Sequence, residues 1–140
     1  MNEQLKLDNQ LCFPLYVCAK EVVRRYTPLL DKFGLTYTQY IAMMVVWEHK
    51  SIAVKDMGNI LYLDSGTLTP MLKKMECRGW LRRVRSENDE RMVMINITEE
   101  GEKLHDMLAE VPAKMAQCVK LDNDEALQLY TLLNKMMKTF

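Results

Sequence analysis

The sequence predicts a mainly α fold with a small β wing, a winged helix-turn-helix, and three observations carry that reading. A helix opening at Asp64 or Ser65 and stopped by Gly79 exposes hydroxyls and lysines. Two stretches with strand-like alternation follow it, Trp80 to Arg85 and Met92 to Ile97, joined by the polar turn Ser-Glu-Asn-Asp-Glu. Strongly apolar helices flank this block on both sides. At 140 residues the chain holds one domain with a real core and is too short for two.

The elements follow in order. Asp8 or Asn9 is the expected cap of a first helix, because Leu11, Leu15, Cys18, Val22, Tyr26, Leu29, Leu30 and Phe33 recur at three-to-four spacing. Pro14 fits in its first turn, Pro28 is expected to kink or break it, and Gly34 ends it. Thr38 is the expected cap of a second helix over Gln39 to Glu48, with Tyr40, Met43, Met44 and Trp47 on one face. Ser51-Ile-Ala reads as a minor third strand, Val54 to Leu61 as a compact helix, and Tyr62-Leu63 as the turn before the reading helix. After the hairpin, Thr98 with Glu99 and Glu100 opens a long helix interrupted around Pro112, and a last helix begins near Asp122.

This divides residues 1–140, read as one domain, into flanking helices (about 8–33 and 99–140) and a winged-helix core (about 36–98). The flanking helices are too apolar to lie alone on a surface, so their expected partner is the same helices of a second subunit. Twelve methionines are read first as ordinary core fillers.

Lysine plus arginine and aspartate plus glutamate balance at 19 each. The distribution does not balance. From Ser65 to Arg85 six bases (Lys73, Lys74, Arg78, Arg82, Arg83, Arg85) face the single acid Glu76, a net +5, whereas from Thr98 to Phe140 five lysines face eight acids, a net −3. The apolar runs are far shorter than the ~20 residues of a membrane span, and MNEQLKLDNQ carries no apolar signal region. A cytoplasmic protein with no membrane partner is therefore expected. Four scattered cysteines without a CxxC, and two histidines, predict neither a metal site nor a cofactor.

On the reading helix Leu68, Leu72 and Met75 share one face, leaving Ser65, Thr67, Thr69, Lys73 and Lys74 around the other. Recognition helices touch base edges chiefly with their first turns, so Ser65, Thr67 and Thr69 are the candidates for readout, and Asp64, Gly66, which adds no bulk, and Pro70 are counted with them on the DNA-binding segment. Pro70 either tilts the helix start or is absorbed locally. Lys73, Lys74, Arg83 and Arg85 suit phosphates, and Arg91 at the hairpin tip suits a minor groove, with Asp89 steadying its guanidinium or the loop. Lysines on a surface helix are by themselves only a solvated face; the order of capped hydroxyl helix, basic ribbon and arginine-tipped wing is what points to double-stranded DNA.

LYLDSGTLTPMLKKME and SENDERMVMI resemble the winged helix of the MarR family of bacterial repressors, and LDNQLCFPLY sharpens the resemblance to the organic-hydroperoxide sensors called OhrR. It covers nearly the whole chain. It implies a homodimer through interlocked N- and C-terminal helices, two wings on a pseudo-palindromic operator, and a regulator rather than an enzyme.

Cys12 stands near the start of its helix, where unpaired amides and the helix dipole favour a thiolate. A lone cysteine on an apolar helix is more often inert; the resemblance reverses that preference. It implies that Cys12 senses organic hydroperoxide, that Tyr26 and Tyr37 hydrogen-bond it across the dimer, and that Tyr16 is a weaker candidate for the same pocket. It also implies two routes after sulfenic acid forms, a small external thiol or a second cysteine of the partner, for which Cys118 has the approximate placement. Cys18 and Cys77 read as packing or incidental residues. The other reading is a repressor of the same fold released by a small apolar or phenolic ligand, with Cys12 a passive wall; a helical thiol peroxidase leaves the DNA-reading segment unexplained.

Overall fold

The structure is a computed structural model and describes residues 2–140. Two short 3-10 turns, Glu3–Leu5 and Leu7–Asn9, precede helix α1 (Cys12–Leu30), which passes through a 3-10 turn (Asp31–Phe33) to Gly34. Helix α2 (Tyr37–His49), strand β1 (Ser51–Ala53), and helices α3 (Val54–Leu61) and α4 (Ser65–Cys77) follow. Strands β2 (Leu81–Arg85) and β3 (Val93–Ile97) form the hairpin, and α5 (Glu99–Met107) completes the first of two compact units, which ends at Ala109. The sheet is antiparallel in the order β1-β3-β2, with Ile52 opposite Ile95 and Leu81 opposite Ile97.

Two sequence expectations are corrected at helix starts. Neither Asp8 nor Asn9 caps α1: both lie in a 3-10 turn, the Asn9 side-chain amide donates to the Glu3 carbonyl, and the α1 cap position is Leu11 with no side-chain cap. Helix α2 is capped by Thr36, not Thr38. Its hydroxyl accepts from the Gln39 N–H (3.2 Å) while the Gln39 side chain accepts from the Thr36 N–H (3.1 Å), and this reciprocal pair needs glutamine three residues on. Pro28 lies inside α1 without ending it, and three residues on, at Asp31, the helix tightens to 3-10. Gly34 turns the chain with φ +70°, where a side chain is strained.

The core of this unit gathers Leu30, Tyr40, Met43 and Val46 of α1 and α2, Met57 of α3, Leu68, Leu72 and Met75 of α4, and Leu81 and Ile95 of the hairpin, all buried. Gly58 lets α3 approach the end of its own turn, since a Cβ there would stand 2.7 Å from the Leu63 carbonyl oxygen. The α2 to α5 contact is fixed by the Trp47 indole N–H donating to the Gly101 carbonyl (2.8 Å) and by the Trp47 ring edge-on to His105. Only Leu30 of α1 is buried, so Cys18, expected on a buried stripe, is exposed.

The second unit, Glu110–Phe140, consists of α6 (Val111–Cys118) and α7 (Asn123–Met137). Pro112 lies in the first turn of α6, where its missing N–H is no loss, so the helix break falls before the proline, at Leu108–Glu110. Asp122 caps α7 in a reciprocal pair with Glu125 (2.8 and 3.1 Å). No α7 residue is buried, and Leu127, Tyr130 and Leu132 stand in the open. Among the described residues no helix is long and apolar enough to cross a membrane.

Because Leu72 is wholly buried, Leu72→Ala should lower the unfolding free energy by about 2–5 kcal/mol in urea denaturation. A loss under about 0.5 kcal/mol, the range of surface changes, would contradict the core assigned to α4.

Candidate nucleic-acid interface and sensor residues

Helix α4 starts where Asp64 accepts the Thr67 N–H at 2.7 Å, and that bond, with the Thr67 hydroxyl and the Gly66 N–H behind it, holds the Asp64 carboxyl below the ordinary carboxylate range. The cap sets the phase of the helix. Leu68, Leu72 and Met75 point into the core, while Ser65, Gly66, Thr67, Lys73 and Lys74 are exposed and Thr69 is half-buried. Pro70 is accommodated within the helix, although it has no N–H to offer the Gly66 carbonyl.

The wing is held to this helix by one acid. Glu76 accepts the Arg83 backbone N–H on one carboxylate oxygen (2.7 Å) and the Arg83 guanidinium on the other (3.3 Å). These bonds, the backbone one foremost, lower the Glu76 pKa against an opposing effect of burial; the charges of Arg83 and Arg82 add to them. Arg83, a candidate phosphate contact on β2, is thus directed onto Glu76 of α4. At the tip Asp89 accepts the Arg91 backbone N–H (3.0 Å), and the Met92 N–H closes onto the Asp89 carbonyl, so this carboxylate holds the loop. Arg85 donates to the Glu90 carbonyl (2.8 Å). Between α3, α4 and the wing runs a groove of about 630 Å³, walled by Val54, Leu68, Leu72 and Val93 and rimmed by Ser65, Thr69, Asp89 and Arg91. The structure therefore brings Ser65, Thr69 and Arg91, all named from sequence, to one opening.

The sensor candidates divide differently. All four cysteines are free and exposed, Cys12 as the first residue of α1 and Cys118 as the last of α6. Tyr26 and Tyr37 pack together with ring centroids 4.8 Å apart, and Tyr40 joins them at 5.6 and 6.4 Å. Burial raises the pKa of Tyr26 and of Tyr40, and the neighbouring phenols raise them further, so both remain protonated donors. Tyr16 stands outside this cluster, exposed, with Lys20 over its ring at 5.3 Å. Cys12 and Tyr26 lie fourteen residues apart on one continuous helix, about 21 Å along its axis, so they cannot touch within one chain.

Sequence reasoning missed two residues here. Tyr40 was placed only on an apolar face, although its three-residue spacing from Tyr37 puts both on one side of α2. Glu76 was counted as the odd acid in a basic stretch; its isolation among six bases was the available signal. Among the described residues no cluster has the makings of a metal site.

A family model described as transcriptional regulator SarA/Rot matches residues 24–108. The organic hydroperoxide resistance transcriptional regulator of Bacillus subtilis is 46% identical over 98% of this chain and 93% of its own length. Among solved structures, reduced AbfR bound to DNA matches with a TM-score of 0.84 at 32% identity, covering 99% of this chain and 94% of the other. The disulfide-formed AbfR matches at 0.72 and 33%, covering 98% and 93%.

A carboxyl whose pKa falls on folding adds stability that is complete above its ordinary value, 4.5 for Glu76, and that disappears as pH drops through the lowered folded value. Glu76→Gln should therefore flatten the acid side of the melting-temperature profile below about pH 5, followed by circular dichroism. A profile parallel to the parent's would remove Glu76 as the tie between helix and wing.

Proposed function

The chain belongs to the MarR-type transcriptional regulators, among the SarA/Rot and organic hydroperoxide resistance regulators, and we propose that it is a redox-sensing repressor released from DNA when organic hydroperoxide oxidises Cys12. The observation that carries the proposal is the spacing on α1. An exposed cysteine at one end and a tyrosine cluster about 21 Å away are useless to each other in one chain, and meet when two α1 helices lie antiparallel in a homodimer. The exposed apolar residues of α1 and α7, among them Phe13, Val22, Leu127 and Leu132, favour such a pairing, because lone helices rarely leave so much apolar surface in water.

In the dimer the Cys12 thiolate attacks the terminal peroxide oxygen. The S–O bond forms as the O–O bond breaks, sulfur gives up two electrons, and the departing alkoxide, hydrogen-bonded by Tyr26 or Tyr37, takes a proton from water, leaving sulfenic acid and an alcohol, with hydroxide returned to solvent. A second thiol then displaces hydroxide from sulfur, giving a disulfide and water. Cys118 of the partner subunit or a small external thiol supplies it. The disulfide-formed state of AbfR lends support to the first route, and the exposure of Cys118 leaves it free to react.

The output is the α4 face and the wing. Ser65, Thr67 and Thr69 read base edges in a major groove, Lys73, Lys74 and Arg85 neutralise phosphates, and Arg91 enters the minor groove. Two such heads must match half-sites about one helical turn apart, so a small change in their spacing removes most of the specific affinity. Reduced AbfR was solved on DNA, which favours the same assignment for the reduced chain.

Fluorescence anisotropy on a pseudo-palindromic duplex tests this. Cumene hydroperoxide should weaken the parent by roughly tenfold or more, a thiol reductant should restore it, and Cys12→Ser should stay bound. Release of Cys12→Ser by a phenolic ligand, with no peroxide response in the parent, would select a ligand-controlled repressor instead. Intact mass and non-reducing gels of oxidised parent and Cys118→Ser separate the two thiol routes: a covalent dimer that needs both cysteines assigns Cys118, and a monomer-sized adduct assigns the external thiol.

A further inference from the structure

We propose that Arg78 is the positioning residue that couples α1 to the reading helix, so that a change imposed on α1 reaches the DNA-contacting face. The proposal rests on the reading of Cys12 as sensor. Arg78 belongs by sequence to the basic stretch that faces DNA, yet its guanidinium turns the other way. One terminal nitrogen donates to the Phe33 carbonyl (3.1 Å), the other to the Gly34 carbonyl (3.4 Å), and the group lies over the Trp80 ring at 4.6 Å.

The fit is built from both sides. Gly34 adopts φ +70° and has no side chain, and a Cβ there would fall on the Arg78 guanidinium. The carbonyls that Arg78 meets close the turn after α1, where unpaired oxygens and the helix dipole attract a cation. A planar fork donating to two oxygens while stacking on an indole is a task for arginine that lysine cannot perform.

The contact also sits at a junction. Arg78 is the C-cap residue of α4, its N–H donating to the Lys74 carbonyl (3.1 Å), and Trp80 leads directly into β2. The Thr98 hydroxyl, which caps α5, donates to the Gly79 carbonyl (2.5 Å), and Gly101 of α5 passes so close to the Trp80 carbonyl that no side chain fits between. The ends of α1 and α4 and the starts of β2 and α5 thus converge on residues 78–80. Of these contacts only the Arg78 guanidinium reaches back to the α1 end, where α1, a helix about 28 Å long, would deliver any displacement of its sensing end.

The test compares parent, Arg78→Gln and Arg78→Lys in the full chain. Two quantities are read: the rate of Cys12 sulfenic acid formation with cumene hydroperoxide, trapped with dimedone and followed by mass, and duplex affinity of reduced and oxidised protein. Both variants should form sulfenic acid within about twofold of the parent rate. The ratio of reduced to oxidised affinity should fall from roughly tenfold or more to under about threefold. A ratio equal to the parent's in either folded variant overturns the coupling role, as does a joint loss of cysteine reactivity and reduced-state affinity. Should Arg78→Gln not fold, Arg78→Lys keeps the charge and decides alone. A parent that ignores hydroperoxide refutes the sensor reading, and the coupling proposal with it, whereas a responsive parent beside equally responsive variants refutes the coupling alone.

Discussion

Everything that α4 presents outward depends on what it must bury. Leu68, Leu72 and Met75 are fully enclosed, and at helical spacing three such positions fix the rotation of the helix about its axis. With rotation fixed, Ser65, Thr67 and Lys73 have only solvent to face. Asp64 fixes where the helix begins, and Gly58 lets α3 and the following turn come close enough to seat it. A register shift of one residue would place a threonine in the core and a leucine in water, an exchange of several kcal/mol that favours a single arrangement.

The positive charge of this region is divided between two tasks that look alike in sequence. Arg78 is directed at the Phe33 and Gly34 carbonyls, Arg83 at Glu76 and Arg85 at the Glu90 carbonyl, so three of the six bases between Ser65 and Arg85 have a guanidinium engaged within the fold. Lys73, Lys74, Arg82 and Arg85 stay exposed, joined from the wing tip by Arg91. The net +5 already counts Glu76 against Arg83, and Arg78 keeps its charge on neutral carbonyls, so these contacts restrict which cations can reach a polyanion and leave the net charge of the segment as it was. The half-buried pair of Arg83 and Glu76 is reinforced by the Arg83 backbone N–H, which shares the same carboxylate.

The helices, the hairpin and the minor strand were readable because each follows from local chemistry. Val54 to Leu61 was foreseen from the sequence, the cap of α4 was narrowed to Asp64 or Ser65 and is Asp64, and Ser51-Ile-Ala is the minor strand expected, its pairing with β3 coming from the structure. The starts of α1 and α2 were not. Asp8 and Asn9 have capping side chains but fold into a 3-10 turn, and Thr38 competes with a threonine two residues earlier whose glutamine partner completes the pair. At the site, Tyr26 and Tyr37 were joined only through a family resemblance, and Tyr40 was not joined at all, since pairing across α1 and α2 depends on tertiary approach. Arg78 is the plainest case. Nothing local distinguishes an arginine that binds carbonyls 44 and 45 residues away from one that binds phosphate.

Helix α1 is anchored unevenly, and this asymmetry is what suits it to a switch. Its C-terminal end is secured by buried Leu30, by the packing of Tyr26 on Tyr37 and Tyr40, and by the Arg78 fork beyond it. Toward its N-terminus no residue is buried, and Phe13, Tyr16 and Val22 are exposed. The chain's own core therefore does not determine where that end lies. In the proposed homodimer the partner determines it, and a covalent change at Cys12 competes with interface contacts rather than with the core. A redox event there needs to shift an equilibrium by only a few kcal/mol, well within what a disulfide or a bulky adduct supplies. Had the same cysteine been placed beside Leu30, its oxidation would have worked against the packing of the winged-helix core and released DNA by unfolding the reader.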